Sequence, residues 1–220
     1  TNFNTFVYLG LQSTTATNAV LMVSTTPVLI VLLSFLLLRQ RVSARQAAGI
    51  LLSLAGVAVI IVRGDPQALA ALRLNGGDLW VLGAVASWAL YSVCLRWRPA
   101  GLDPLAFLAV TMVIGLIPLL PLYQWELGRG LSFAVNAVSL GAIGYVALFP
   151  SVLAYVLWNR AVAELGANRT GQLLHLMPAF GAVLAMPVLG ERMQGFHLAG
   201  IGLIAAGIAL ASRSQGQGRA

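Results

Sequence analysis

Charge is what this chain has least of. Only 9% of its 220 residues are ionised side chains, and the thirteen basic ones are all arginine, set against six carboxylates. Two histidines and one cysteine complete the reactive inventory. Cys94 has no partner for an internal disulfide, and its place inside an apolar run suits a small buried hydrophobe. The chain carries no close carboxylate pair, no cluster of His and Cys at metal-ligand spacing, no phosphate loop and no Gly-x-Ser-x-Gly, so an enzyme is not expected and neither is a cofactor or a metal. The net charge of +7 is divided among short segments. A nucleic-acid footprint gathers its charge along one groove, so no nucleic-acid partner is expected either.

Apolar residues fill the space that charge leaves. Hydrophobic side chains make up 59% of the sequence, and the mean hydropathy is +0.88, whereas a soluble domain of this size needs far more charged surface. The uncharged runs are 1–38, 46–62, 79–95, 104–125, 130–159, 170–190 and 193–212, most of them near the ~20 residues a membrane-spanning helix requires. The polar stretch 12–18 divides the first run. The expected class is therefore an all-α polytopic membrane protein, with full spans over 17–38, 46–63, 79–96, 104–124, 134–158, 170–190 and 194–212 and a partial one over 3–11.

Laid over itself at an offset of 151 positions, the chain matches 16–58 onto 167–209 without a gap. Pro27 falls on Pro178, Arg41 on Arg192, Gly49 on Gly200 and Gly56 on Gly207. Such self-similarity marks an internal duplication. The second copy begins near Gly77 and holds three spans ahead of the matched pair, so about two spans and most of a third are missing from the first copy. The sequence also lacks an initiating Met, and it reads as a fragment of a ten-helix protein. Five helices per repeat is an odd number, which turns the second copy over in the membrane. With the Arg39/Arg41/Arg45 loop cytoplasmic, nine arginines and two carboxylates fall inside, against four and four outside, so the positive-inside bias agrees with this inversion. The expected division is 1–63 for the end of the first repeat, 64–76 for a linker, 77–212 for the second repeat and 213–220 for a polar cytoplasmic tail.

These residues carry a resemblance. The first copy holds Tyr8-Leu9-Gly10-Leu11, Ala16-Thr17-Asn18-Ala19, Pro27-Val28 and Leu36-Leu37-Leu38. The second holds Ser87-Trp88-Ala89-Leu90-Tyr91, Ala154-Tyr155-Val156-Leu157-Trp158, Leu165-Gly166-Ala167, Pro178 and Leu189-Gly190-Glu191-Arg192. Together they resemble the EamA branch of the drug/metabolite transporter superfamily from end to end. Arg39-Gln40-Arg41 departs from the Gly-Glu-Arg that the family often has there. The resemblance implies a ten-helix inverted-repeat secondary transporter with cytoplasmic termini, usually exporting small metabolites or amino acids across the bacterial inner membrane.

Polar groups inside a span are costly against lipid, so those present should face the bundle interior or a cavity. Ser151, Tyr155, Trp158 and Asn159 share one helix face. Trp88 and Tyr91 form a second aromatic pair, and Gln172 and His175 stand one turn apart just before Pro178. The duplication pairs His175 with Ser24, each three positions before a helix-breaking proline, so Ser24, Trp88, Tyr91, Ser151, Tyr155, Trp158, Asn159, Gln172 and His175 are the candidate cargo-binding residues, with Pro27 and Pro178 as gating kinks. Plain helix packing accounts for the same residues equally well. His175 is the one mid-span group that ordinarily titrates near neutral pH, which opens proton coupling. The site as read has no membrane-embedded arginine or lysine, which argues for neutral or zwitterionic cargo. The expected partners are a small-molecule cargo and the lipid bilayer, with a homodimer left open. The competing readings are a non-transporting membrane scaffold or receptor and a flippase or sugar-conjugate carrier of the same fold.

Overall fold

In hydrocarbon every backbone amide must be bonded within its own segment, and a helix is the way an apolar run of this composition does so. The computed structural model describes residues 2–70, 73–99, 101–130, 134–189 and 192–212, and among them the regular structure is helical. The elements are α1 (Asn2–Leu11), α2 (Ala16–Val23), α3 (Thr26–Leu38), α4 (Ala44–Ile61), α5 (Pro66–Ala70), α6 (Gly76–Cys94), α7 (Pro104–Leu116), α8 (Leu119–Gly128), α9 (Ala137–Val146), α10 (Ala154–Leu165), α11 (Ala167–Gln172), α12 (Leu176–Leu189) and α13 (Gly195–Ser212). Among the described residues six helical stretches are long and apolar enough to cross a bilayer: Ala16–Leu38, Ala44–Ile61, Gly76–Trp97, Pro104–Gly128, Ala137–Leu165 and Gly195–Ser212. The chain is a multi-pass membrane protein. A further drawn span is helical from Ala167 to Leu189 in three pieces. Its last residue, Gly190, lies outside the described residues, as do Glu191 and the tail at 213–220 with Arg213 and Arg219.

Several boundaries differ from the sequence reading; the span drawn over 104–124, for one, runs on to Gly128. The span drawn over 134–158 continues to Leu165, because Arg160 and Glu164 stand one turn apart and bond each other at 2.8 Å, which lets charge ride on the helix. It stops at Gly166, whose φ of 83° ends the helical path. The span drawn over 79–96 starts at Gly76, so Asp78 lies inside the helix rather than in a loop. Asp78 is buried and closes a capping box with Asn75, accepting that residue's backbone N–H at 2.7 Å. It also accepts from the Thr14 hydroxyl and the Asn18 amide, tying the start of α6 to the α1–α2 turn.

Prolines mark the breaks. α2 ends at Val23 and α3 resumes at Thr26 just before Pro27, while α11 gives way to a 3-10 turn, Leu173–His175, just before α12 and Pro178. Pro118 separates α7 from α8, and Pro150 sits in a wide π-helical stretch, Ala147–Leu153, between α9 and α10.

Close packing rests on glycine. α4 and α13 run antiparallel, with Gly49 against Gly207 and Gly56 against Gly200; a Cβ on Gly49 would stand 2.5 Å from the Gly207 carbonyl oxygen and one on Gly56 2.6 Å from that of Gly200. Gly10 and Gly77 bring α1 onto α6 in the same way. α3 packs on α6 through Ile30, Ala89 and Val93, and the Ile30 side chain occupies the space beside Gly171 on α11. The outer faces of α7, α8 and α9 are apolar and exposed, as lipid-facing surfaces are.

A Gly49→Leu substitution is expected to force α4 and α13 apart and cost about 1–3 kcal/mol, whereas Gly202→Leu, on α13 but with nothing within 4 Å, is expected to be neutral. Thermal unfolding of the two variants in detergent, followed by tryptophan fluorescence, checks the difference.

Candidate functional site

The sequence-predicted residues divide into two groups. The first is aromatic. α6 and α10 face each other so that the Trp88 ring lies 5.2 Å from Tyr155, edge to face, and 5.1 Å from Trp158. Tyr91 lies 5.8 Å from both Trp88 and Tyr155, and Phe3 of α1 closes the group at 5.4 Å from Trp88. These centroid spacings are those of favourable ring pairs. Polar bonds lock the rings: the Tyr91 hydroxyl donates to Asn159 Oδ1 at 2.7 Å, and Trp158 Nε1 donates to the Ser92 hydroxyl at 3.2 Å. Ser92 in turn donates to the Trp88 carbonyl at 2.8 Å.

A cavity of about 360 Å³ adjoins this group, with Ser92 and Asn159 in its wall. It opens between the ends of α3, α6 and α10 and the start of α7, lined there by Gln40, Arg96, Arg98 and Phe107. Its size falls in the range of small-molecule sites. Ser151 stands one turn before Tyr155, half-buried and away from the cavity lining.

The second group is a joint between helices. His175 is 0% exposed. Its Nε2 donates to the Ser24 carbonyl at 2.9 Å, and its Nδ1 lies 2.6 Å from the Ser53 hydroxyl. Ser53 Oγ is also 3.0 Å from the Ile50 carbonyl. One hydroxyl proton can serve only one acceptor, so two arrangements fit without moving a heavy atom. Neutral His175 accepts the Ser53 proton; doubly protonated His175 donates to Ser53, whose proton turns to Ile50. Gln172 is buried with its amide donating to the Gly207 carbonyl at 3.2 Å, and the Ser24 hydroxyl bonds back to Val20 at 2.7 Å. Ser24, Gln172 and His175 thus bond helix to helix and are absent from the cavity lining.

A cavity beside stacked aromatic rings in a bundle of apolar helices matches what the repeat resembled, and the sequence model of the EamA-like transporter family matches residues 1–62 and 75–213. The chain belongs to the EamA-like transporter family. Among similar proteins of this family, the uncharacterized transporter YyaM of Bacillus subtilis is 30% identical over 96% of this chain and 68% of its own length. A probable terminal-alkyne amino-acid exporter of Streptantibioticus cattleyicolor is 30% identical over 90% of this chain and 64% of its own. The EamA-like chain therefore spans about two thirds of the length of these relatives. A solved crystal structure superposes with a TM-score of 0.79 at 20% identity, covering 99% of this chain and 74% of that one, and so shares the fold.

Several residues of the EamA-like site escaped sequence reasoning. Ser53 is a single serine on an apolar helix and gives no signal until a partner is seen across the bundle, whereas Ser92, with Ser87, marks its span as unusually polar without showing what it bonds. Arg96, Arg98 and Gln40 read as loop charges and polar caps, yet helix ends bring them to the mouth of one cavity. Ser53→Ala is expected to leave the histidine nitrogen without its partner and cost about 1–3 kcal/mol. Ser212→Ala, at an exposed hydroxyl on the end of α13, is expected to have no effect, and thermal unfolding of both variants checks this.

Proposed function

We propose that the complete protein is a secondary transporter that exports small metabolites or amino acids across a bacterial inner membrane, by alternating access between two inverted five-helix repeats. The observation that carries this reading is the cavity beside the Trp88, Tyr91, Tyr155 and Trp158 rings: it is large enough for a small metabolite, carries the hydrogen-bonding groups of Ser92, Asn159 and Gln40 in its wall, and is open at one end. The cargo class draws support from the relative named as an amino-acid exporter, and transport rather than catalysis accords with a family and relatives named as transporters.

Two features support the inverted repeat. α4 and α13 have both ends related by the 151-residue offset, and their glycine contacts exchange the two copies: Gly49 meets the counterpart of Gly56, and Gly56 meets the counterpart of Gly49. Ser24 and His175, counterparts at the same offset, touch directly. Both relations are what an approximate twofold axis in the membrane plane requires. In this reading 1–63 closes the first repeat and 77–212 is the second. The excess of arginine at the Arg39, Arg96 and Arg98 end puts that end and the C-terminus in the cytoplasm. The cavity then faces inward, ready to load cargo for export. The breaks ahead of Pro27 and Pro178 are the joints about which the halves rock, and His175, with its two satisfied protonation states, is the group through which a proton couples to that motion.

Efflux from cells expressing the complete coding sequence, measured over a panel of amino acids and small metabolites, tests this. Trp158→Ala is expected to lower export of the cargo about tenfold, ~1.4 kcal/mol, while inserting normally; export of nothing by the unaltered protein favours a membrane scaffold instead. His175→Gln is expected to export with little dependence on pH. Full retention of pH dependence in that variant removes the histidine from the coupling.

A further inference from the structure

Asn159 is 6% exposed and lines the cavity, and its amide nitrogen has no hydrogen-bond partner. Buried donors in a folded protein are nearly always satisfied, and more so where lipid replaces water, so an orphan at a cavity wall is a place where something is meant to bind. The orientation of the amide is set from the other side. Tyr91 donates its hydroxyl proton to Asn159 Oδ1 at 2.7 Å, and the Tyr91 ring is held by Trp88 and Tyr155. The oxygen is therefore used, and the amide nitrogen is left as a buried, unpaired donor on a residue of the cavity wall. Ser92, beside it in the wall, already has its proton on the Trp88 carbonyl.

The charge of the cavity has one sign. Arg96 and Arg98 line its mouth, and no carboxylate lines it among the described residues. The acids near that end are engaged elsewhere: Glu164 pairs with Arg160 at 2.8 Å, and Asp103 caps α7 by accepting from the backbone of Leu105 and Ala106. An arginine-rimmed pocket with an unpaired amide donor on one of its wall residues favours an anion entering and an oxygen acceptor binding.

Resting on the transport reading above, we propose that Asn159 holds a carboxylate oxygen of the cargo, so that the cavity selects carboxylate-bearing small molecules, zwitterionic amino acids included, over amines of the same size. Arginines at the mouth, rather than inside the spans, supply the attraction. Tyr91 is a positioning residue that keeps the amide turned toward the cargo.

Three probes that share a short alkyl chain separate the contributions: norvaline, pentanoate, which lacks its amino group, and n-butylamine, which lacks its carboxylate. Binding is read from tryptophan fluorescence of the full-length protein in nanodiscs, since Trp158 and Trp88 adjoin the cavity. The unaltered protein is expected to bind norvaline and pentanoate saturably and n-butylamine at least tenfold more weakly. Asn159→Asp, of the same shape but with an acceptor in place of the donor, is expected to weaken pentanoate at least tenfold with an unchanged thermal midpoint. Tyr91→Phe is expected to produce a smaller loss. Preference of the unaltered protein for n-butylamine, binding of none of the three, or pentanoate binding unaffected by Asn159→Asp overturns the proposal, and the first two outcomes need no variant to fold. Solute counterflow in liposomes keeps the two readings apart. Carboxylate binding through Asn159 without any transport would sink the transporter and keep the site, whereas transport indifferent to Asn159→Asp would do the reverse.

Discussion

The close approach of α4 and α13 sets the rest of the arrangement. Four glycines remove the side chains that would hold two backbones apart, and at that distance the helices contact along their length. Ser53 lies on the same face of α4 as Gly49 and Gly56, so the seam that glycine makes also fixes where its hydroxyl points. The Gly207 carbonyl, bared by the absence of a side chain, is left to accept from Gln172. His175, one turn further on, is then held between Ser53 and the Ser24 carbonyl. A contact made of the smallest residues thus determines the position of the largest polar group in the bundle interior.

Polar groups in these helices are treated in two ways. At the joint both ring nitrogens of His175, the amide nitrogen of Gln172 and the hydroxyl of Ser24 find protein partners, and such a site has little to offer a solute. In the cavity wall, by contrast, the amide nitrogen of Asn159 is buried and unpaired. In a medium that supplies no water the difference between the two sites is large, because a missing bond inside the bilayer is not made good by solvent. It separates residues whose polar groups are spent on holding helices from a residue whose donor is not, although both groups look alike along the chain.

Much of this was legible without coordinates. The spans follow from uncharged runs, because charge and lipid exclude one another. The repeat follows from an offset that aligns proline with proline and glycine with glycine, and the breaks at 24–25 and 173–175 lie where those prolines demand them. Helical spacing alone placed Tyr155, Trp158 and Asn159 on one face and Trp88 with Tyr91 on another. Less visible was Asp78, which a charge-free window pushes out of the helix. Its burial depends on Thr14 and Asn18, some sixty positions earlier, and no local pattern reports a partner at that distance. The same is true of the bond between Tyr91 and Asn159, 68 positions apart.

The sequence by itself determined that this protein lies in a membrane, that it crosses it repeatedly, where its helices break and which residues are polar in an apolar setting. These are properties of a chain and its solvent, and each is written within a few turns. Only the tertiary structure decided which polar residues satisfy one another and which are left over, Asn159 among them, because a hydrogen bond is spent or free according to what stands opposite it. It also turned three residues that read as a loop into the rim of a cavity. That too depends on helix ends meeting in space, which a linear pattern does not encode.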